Sequence, residues 1–152
     1  MNWVTRERPK TDRIACPWLI RRFIDPAATI VFAPALQVLA LADELDGHSF
    51  DAPGATYSHS TGDGGAERCT FETLIDAYDL AGDAALVRLA KIVHAADVSA
   101  DLDSDPAGAG LLAIGIGGLA AEADDLTLLE RGSFVYDALY AWCQSETSSP
   151  TA

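Results

Sequence analysis

The sequence has little positive charge, little cysteine and no long apolar segment. Its 152 residues include ten Lys and Arg against 23 Asp and Glu, which gives a formal net charge of −13. This balance excludes the broad cationic surface that binding to nucleic-acid phosphates requires. No run of about 18 apolar residues occurs, which predicts that no helix spans a membrane. The N-terminus lacks the apolar stretch of a signal peptide, so we predict a cytoplasmic location.

Cysteine is also scarce, with three residues, Cys16, Cys69 and Cys143, far apart in the chain. An odd number without regular spacing predicts free thiols and not a disulfide framework. What the sequence does contain is apolar residues, at 49% of the chain. This content and the chain length predict one domain with one core, covering residues 1–144, followed by a polar tail at residues 145–152.

The hydrophobic patterns predict an α+β domain, mostly helical and with a small β-sheet. Short strands are expected at residues 3–7, 29–33 and 48–51. Helices are expected at about residues 12–23, 34–45, 70–80, 83–96 and 124–143, the first of them kinked at Pro17. Residues 52–68 are rich in Gly, Ser, Thr and Asp and are predicted to form a long loop, a feature typical of functional or disordered segments.

Six of the ten cations lie within the first 22 residues, where only two acids occur. The candidate binding residues there are Arg13, Cys16, Arg21 and Arg22. Planar guanidinium groups donate paired hydrogen bonds to oxyanions, and a thiol beside arginines is expected to have a lowered pKa. The alternative is that the arginines pair with acids on the surface while Cys16 lies in the core.

A second group of residues carries metal-ligand chemistry: His59, Cys69, His94 and Asp97. His94 and Asp97 are three residues apart on one predicted helix, so both side chains can point to one spot. Two histidines with one carboxylate suit a catalytic Fe or Zn ion, and adding Cys69 favours a closed zinc site. The alternative is a surface His94 paired with Asp97.

The stretch from Gly108 to Gly118 contains five glycines. It matches neither the dinucleotide-binding nor the P-loop pattern, and close helix packing is the better interpretation. The last helix could also present an apolar face for a homodimer.

The segment DRIACPWLIRRFIDP at residues 12–26 resembles the signature of the C-terminal domain of the chromate-resistance ChrB family. WVTRERPK, ERCTFETL, RLAKIVHAAD and VYDALYAWC are similar to further family segments, in the same order. Members of this family are associated with chromate-resistance operons. The resemblance implies that the loop histidine, His59, belongs with Cys69, His94 and Asp97.

These observations lead to three hypotheses. The first is a cytoplasmic domain that binds chromate or a related oxyanion through its N-terminal arginines, with or without a metal. The second is an enzyme that uses one divalent metal ion, Fe or Zn, on an anionic small molecule. The third is an interaction module whose acidic body binds a basic partner.

Overall fold

Residues 1–148 are described by the structure, a computed structural model. Three parallel strands form its main sheet: β1 (Asn2–Arg6), β2 (Thr29–Ala33) and β3 (His48–Ser49). Their order is β2-β1-β3, and Trp3 in the central strand pairs with Ile30 on one side and His48 on the other. The three strands lie where the sequence predicts them.

Both faces of this sheet are covered by helices, as parallel sheets require. On one face, Val4 and Ala33 pack with Val38 and Ala42 of helix α2 (Val38–Glu44). On the opposite face, Trp3 belongs to the main core, which all the other helices share. The chain therefore crosses from β1 to β2 on one face and from β2 to β3 on the other. This reversal between β1 and β3 is a topological switch point, the place where open α/β sheets bind ligands.

Helix α1 (Asp12–Leu19) follows β1 and continues into a π-helical turn, Ile20–Ile24. Pro17 lies inside α1, as predicted, and has no amide hydrogen to donate. Seven of the eight α1 residues are buried, including Cys16. The helix is therefore a core element.

Four further helices build the larger part of the domain. They are α3 (Thr70–Ala77), α4 (Ala84–Asp97), α5 (Gly108–Ala121) and α6 (Asp125–Ser148). Helix α4 packs against both α5 and α6, and the side chain of Asp83 caps its first turn by accepting a hydrogen bond from Leu86 N. The mostly helical domain with a small sheet, predicted from the sequence, is confirmed.

A hairpin within the predicted loop and the end of the last helix differ from the prediction. The predicted loop at residues 52–68 contains a small antiparallel hairpin, β4 (Ser60–Thr61) and β5 (Glu67–Arg68). Helix α6 runs on to Ser148, so residues 145–148 of the predicted tail form its last turn, whereas residues 149–152 lie outside the described part. Short strands among polar residues leave no hydrophobic alternation, which is why the sequence pattern missed them.

Close packing explains part of the glycine-rich stretch that forms α5. A Cβ atom at Gly108 would lie 2.7 Å from Ala95 Cβ, and one at Gly115 would lie 2.7 Å from Lys10 Cγ. Gly110 and Gly117 face open space. Although α5 is almost wholly apolar, no helix within residues 1–148 is both long and apolar enough to cross a membrane.

Candidate metal centre

Three carboxylates converge beyond the carboxyl ends of β1 and β3, at the switch point of the sheet. Asp12 is the first residue of α1, Asp51 follows β3, and Asp97 is the last residue of α4. Asp12 is fully buried and Asp51 is 6% exposed. Asp51 adopts a left-handed backbone conformation with a φ of 49°. Strained backbone of this kind persists where the surrounding structure holds it, often at functional sites.

His59 lies among these acids. Its Nε2 is 2.9 Å from Asp97 Oδ2, 3.7 Å from Asp51 Oδ1 and 3.8 Å from Asp12 Oδ2. On the other side of the ring, Nδ1 is 3.1 Å from Glu67 Oε1. Glu67 begins β5 and His59 immediately precedes β4, so this short hairpin positions the ring over the carboxylates.

The charges of this group depend on one another. The hydrogen bond to Asp97 raises the pKa of His59 to about 9, against the opposing effect of partial burial, and Glu67 adds to the rise. Burial, followed by repulsion from Asp97 and Asp51, raises the pKa of Asp12 well above its usual value. A protonated imidazolium therefore compensates acids that would otherwise repel each other.

Asp12 has one carboxylate oxygen that lacks a partner within residues 1–148. Its Oδ2, which lies 3.8 Å from His59 Nε2, accepts a hydrogen bond from Thr70 N at 2.7 Å, whereas its Oδ1 is buried and has no hydrogen-bond partner. Such an atom is costly unless something binds it. A group of three residues, Asp12, His59 and Asp97, offers one ligand atom each. These three atoms lie within 4.8 Å of one another, which is close enough to share one metal ion.

Thr70, Arg6 and Arg13 hold the surroundings of this group in place. The hydroxyl of Thr70 donates to Asp51 Oδ1 at 2.8 Å, so one residue fixes both buried acids. Arg6 donates to the Asp51 carbonyl and carboxylate, and Arg13 Nε lies 3.4 Å from Asp51 Oδ2. These arginines occupy Asp51, which leaves Asp12, His59 and Asp97 as the group that could take up a metal.

An open cavity of about 330 Å³ adjoins the group. It is lined by Arg6, Asp51, Ala52, Pro53, Ser58 and His59. The group of acids around His59 therefore lies next to an open cavity whose wall includes both His59 and the positive side chain of Arg6.

The predicted metal ligands do not form one group, because the structure divides them into two. His59 and Asp97 join Asp12, while Cys69 and His94 lie with Glu72. His94 and Asp97 do not point to one spot as predicted: His94 bonds to Glu72 and Asp101, each at 2.7 Å, and Asp97 bonds to His59. Two side chains near the end of one helix can point in different directions when each has a nearer partner on another element.

The predicted arginine cluster is also divided. Arg13 lies beside Asp51, whereas Arg21 pairs with Glu130 and Arg22 with Asp137, both on α6. The guanidinium of Arg22 also lies 4.9 Å from the ring centre of Tyr140. These last two arginines stabilise the packing of α6 against the π-helical turn, and they do not converge with Arg13 on an open site.

The expected low pKa of Cys16 is wrong. Cys16 is fully buried, and burial raises the pKa of its thiol well above the usual value, with Asp12 adding to the effect. Cys69 behaves in the same way, again chiefly because it is buried. Both thiols are packed in the core, which is the alternative that the sequence left open for Cys16.

Sequence patterns did not identify four residues of this site, which are Asp12, Asp51, Thr70 and Arg6. Asp12 carried one signal, because it starts a helix, and Asp51 carried another, because it is the last residue of the predicted strand 48–51 and an acid at the carboxyl end of a strand often lies at the ligand-binding edge of a sheet. The role of Thr70 had no local signal, since it depends on contacts with residues 58 and 19 positions away.

Comparison with known proteins shows the family of this chain. The family described as "ChrB, C-terminal domain" matches residues 3–143. A relative named Protein ChrB, from Cupriavidus metallidurans strain CH34, is 37% identical over 139 residues. The match covers 91% of this chain and 40% of that protein, so the chain spans well under half of the relative's length. No solved structure matches the chain.

Proposed function

The chain belongs to the ChrB C-terminal domain family, and from this premise we propose that it binds one divalent metal ion through Asp12, His59 and Asp97. The metal then serves to hold a small oxyanion in the adjoining cavity. The observation that carries the proposal is that buried Asp12, His59 and Asp97 each offer a ligand atom within 4.8 Å of the others, while the second oxygen of the Asp12 carboxylate, Oδ1, has no hydrogen-bond partner among the described residues.

The electrostatics support a cation at this place. Asp97 ends α4, where the helix dipole is unfavourable for a negative charge, and two further acids lie within 4 Å of His59 Nε2. In the metal-free protein the proton on His59 compensates this charge. A divalent ion supplies more positive charge at the same position, and it must displace that proton in order to bind.

The donor set indicates which metals fit. Two carboxylates and one imidazole suit Fe(II) or Zn(II), and the core thiols Cys16 and Cys69 are absent from the set. Three protein ligands leave coordination positions open, as in catalytic metal sites. A closed structural zinc site with Cys69 is not what this geometry favours.

The anion is assigned from the cavity and the family together. Arg6 lines the cavity next to His59, and a guanidinium donates well to tetrahedral oxyanions. The family is associated with chromate resistance, and chromate is a divalent tetrahedral oxyanion. Arg21 and Arg22, bound to α6, are not part of this proposal.

Metal titration of chelator-stripped protein tests the first step. Calorimetry with Zn(II), or with Fe(II) under anaerobic conditions, is expected to give one ion per chain. Asp12→Asn, His59→Gln and Asp97→Asn should each weaken binding by tenfold or more, because each removes a ligand or its charge. Asp12→Asn should also make the metal-free protein more stable to heat, since it removes a buried charge among acids. Its loss of metal could then not be ascribed to unfolding.

His94→Gln is the matched control, because His94 also bonds to two carboxylates but belongs to the other group. It should keep wild-type metal affinity. If His94→Gln loses the metal while His59→Gln retains it, the ion belongs with Cys69 and Glu72 and the proposal is wrong. If neither Zn(II) nor Fe(II) binds the wild type, the proposal fails altogether.

The second step is tested with chromate, and with sulfate as its non-oxidising analogue. Metal-loaded protein should bind both, metal-free protein should bind them at least tenfold more weakly, and Arg6→Gln should weaken binding with the metal still in place. Equal binding with and without metal would contradict the role given to the ion.

A further inference from the structure

A second cavity lies between α5, α6 and the start of α1, and it is separate from the candidate metal centre. Its volume is about 240 Å³, and its walls are mainly apolar, formed by Ile14, Leu111, Ile114, Leu128 and Val135. An apolar cavity of about 150 Å³ is enough to hold benzene. This one therefore has room for a ring with a short substituent.

Three glycines on the two helices belong to the wall of this cavity. They are Gly115 and Gly118 of α5 and Gly132 of α6. A Cβ at Gly118 would lie 3.2 Å from Leu128 Cδ1, and one at Gly132 would lie 3.0 Å from Ile14 Cγ2. The absence of side chains at these positions allows the helices to approach closely around the cavity.

Thr11 is a residue of the cavity wall, and its hydroxyl oxygen lies beside Gly115, another wall residue. Thr11 is 2% exposed, and within residues 1–148 its hydroxyl has no hydrogen-bond partner. Its backbone carbonyl, by contrast, accepts a hydrogen bond from the hydroxyl of Tyr136. A buried hydroxyl without a partner costs free energy that a bound molecule can recover.

The remaining polar wall groups carry no net charge. Arg131 and Glu122 both line the cavity, and they pair with each other at 3.5 Å. With one positive and one negative group already paired, the cavity has no surplus charge for an ion. The complementary ligand is therefore neutral.

We propose that this cavity binds a neutral amphipathic molecule, with a ring-sized apolar body and one hydroxyl or carbonyl group that hydrogen-bonds to the hydroxyl of Thr11. The apolar body contacts Ile14, Leu128 and Val135, which would otherwise face an unfilled space. This assignment goes beyond the proposed metal and oxyanion function and does not depend on it.

The test uses 4-ethylphenol and 4-ethyltoluene as probes. Their binding is measured through changes in amide chemical shifts in two-dimensional NMR spectra. Both molecules should shift resonances of residues that line the cavity, with saturable binding. Thr11→Val keeps the β-branched shape, which this residue holds at a φ of 49°, and removes only the hydroxyl. It should weaken 4-ethylphenol binding about tenfold and leave 4-ethyltoluene binding unchanged.

Two further variants separate this cavity from other surfaces. Val135→Phe fills the space and should abolish binding of both probes, with the dispersion of the spectrum showing that the protein is folded. Ala113→Leu, on the outer face of α5, is the matched control and should bind as the wild type does. Absence of shifts at the cavity, or a Thr11→Val variant that weakens both probes equally, would overturn the proposal.

Discussion

Two histidines show how much the surroundings of one residue decide its role. His59 and His94 each bond to two carboxylates, Asp97 and Glu67 for the first, Glu72 and Asp101 for the second. Only His59 has two further acids, Asp12 and Asp51, near the same nitrogen. One imidazolium faces two acids at His94 but four at His59, so the excess of acidic groups is larger around His59.

His94 therefore predicts a pH dependence of stability. Burial lowers its pKa, but the hydrogen bonds to Asp101 and Glu72 outweigh burial, and the pKa is raised above the ordinary 6.5. The folded protein holds this proton more tightly than the unfolded chain. The stabilisation is fully present below about pH 6.5 and is lost as the pH rises through the folded-state pKa.

Urea unfolding of His94→Gln measures this contribution. At about pH 6 the variant should be less stable than the wild type by about 1 kcal/mol, the scale of partly exposed charged hydrogen bonds, and the difference should shrink at about pH 9.5. Asp103→Asn, an exposed acid close to Asp101, is the control and should leave the pH dependence unchanged. A difference that is the same at both pH values would show that the charge on His94 does not stabilise the fold.

At the scale of elements, α5 carries glycines of two kinds. Gly108 and Gly115 allow close contact with other parts of the chain, whereas Gly110 and Gly117 face open space. Glycine inside a helix costs conformational entropy relative to alanine. The second kind therefore weakens α5 without any packing benefit in the part of the protein that the structure describes.

Alanine substitutions distinguish the two kinds of glycine. Gly110→Ala and Gly117→Ala should each raise the free energy of unfolding by about 0.5–1 kcal/mol, since both restrict the unfolded chain and favour the helix. Gly108→Ala should lower it by about 1–3 kcal/mol, because the new Cβ would overlap Ala95 of α4. Thermal unfolding followed by circular dichroism measures all three. Destabilisation by Gly117→Ala would mean that this face of α5 is covered in solution.

At the scale of the whole molecule, the cationic N-terminal segment joins distant parts of an acidic chain. Arg8 donates to Leu119 O, Glu122 O, Ala123 O and the carboxylate of Asp125. It thereby binds the carbonyl end of α5 and the first residue of α6. Arg21 and Arg22 hold α6 further along. The cluster of N-terminal cations suggested an anion site, but these arginines mainly stabilise the tertiary structure.

Arg8→Ala is expected to lower the free energy of unfolding by about 2 kcal/mol, because several charge-assisted hydrogen bonds are lost from a partly exposed position. Arg8→Lys should recover only a small part, since an ammonium group cannot reach the same set of carbonyls. Arg131→Ala should cost much less, because this exposed arginine pairs with Glu122 and with no other acid in the described part of the chain. Equal losses for Arg8→Ala and Arg131→Ala in urea unfolding would contradict the linking role of Arg8.

The sequence by itself determined the three strands of the main sheet and most of the helices, the mostly helical class with its small sheet, and the family. These follow from local information: hydrophobic period, Pro and Gly positions, and a long signature at residues 12–26. It also indicated His59 and Asp97 as parts of one site, and it left open that Cys16 lies in the core, where the structure places it.

Only the tertiary structure decided which of these residues meet. Three parallel strands in the order β2-β1-β3 bring Arg6 and Asp51 to one edge of the sheet, and packing of α1, α3 and α4 brings Asp12, Thr70 and Asp97 to the same edge. The same packing separates Cys69 and His94 from His59. Residue spacing fixes neighbours within one helix, but contacts between elements depend on how the whole core closes, and no local pattern records that.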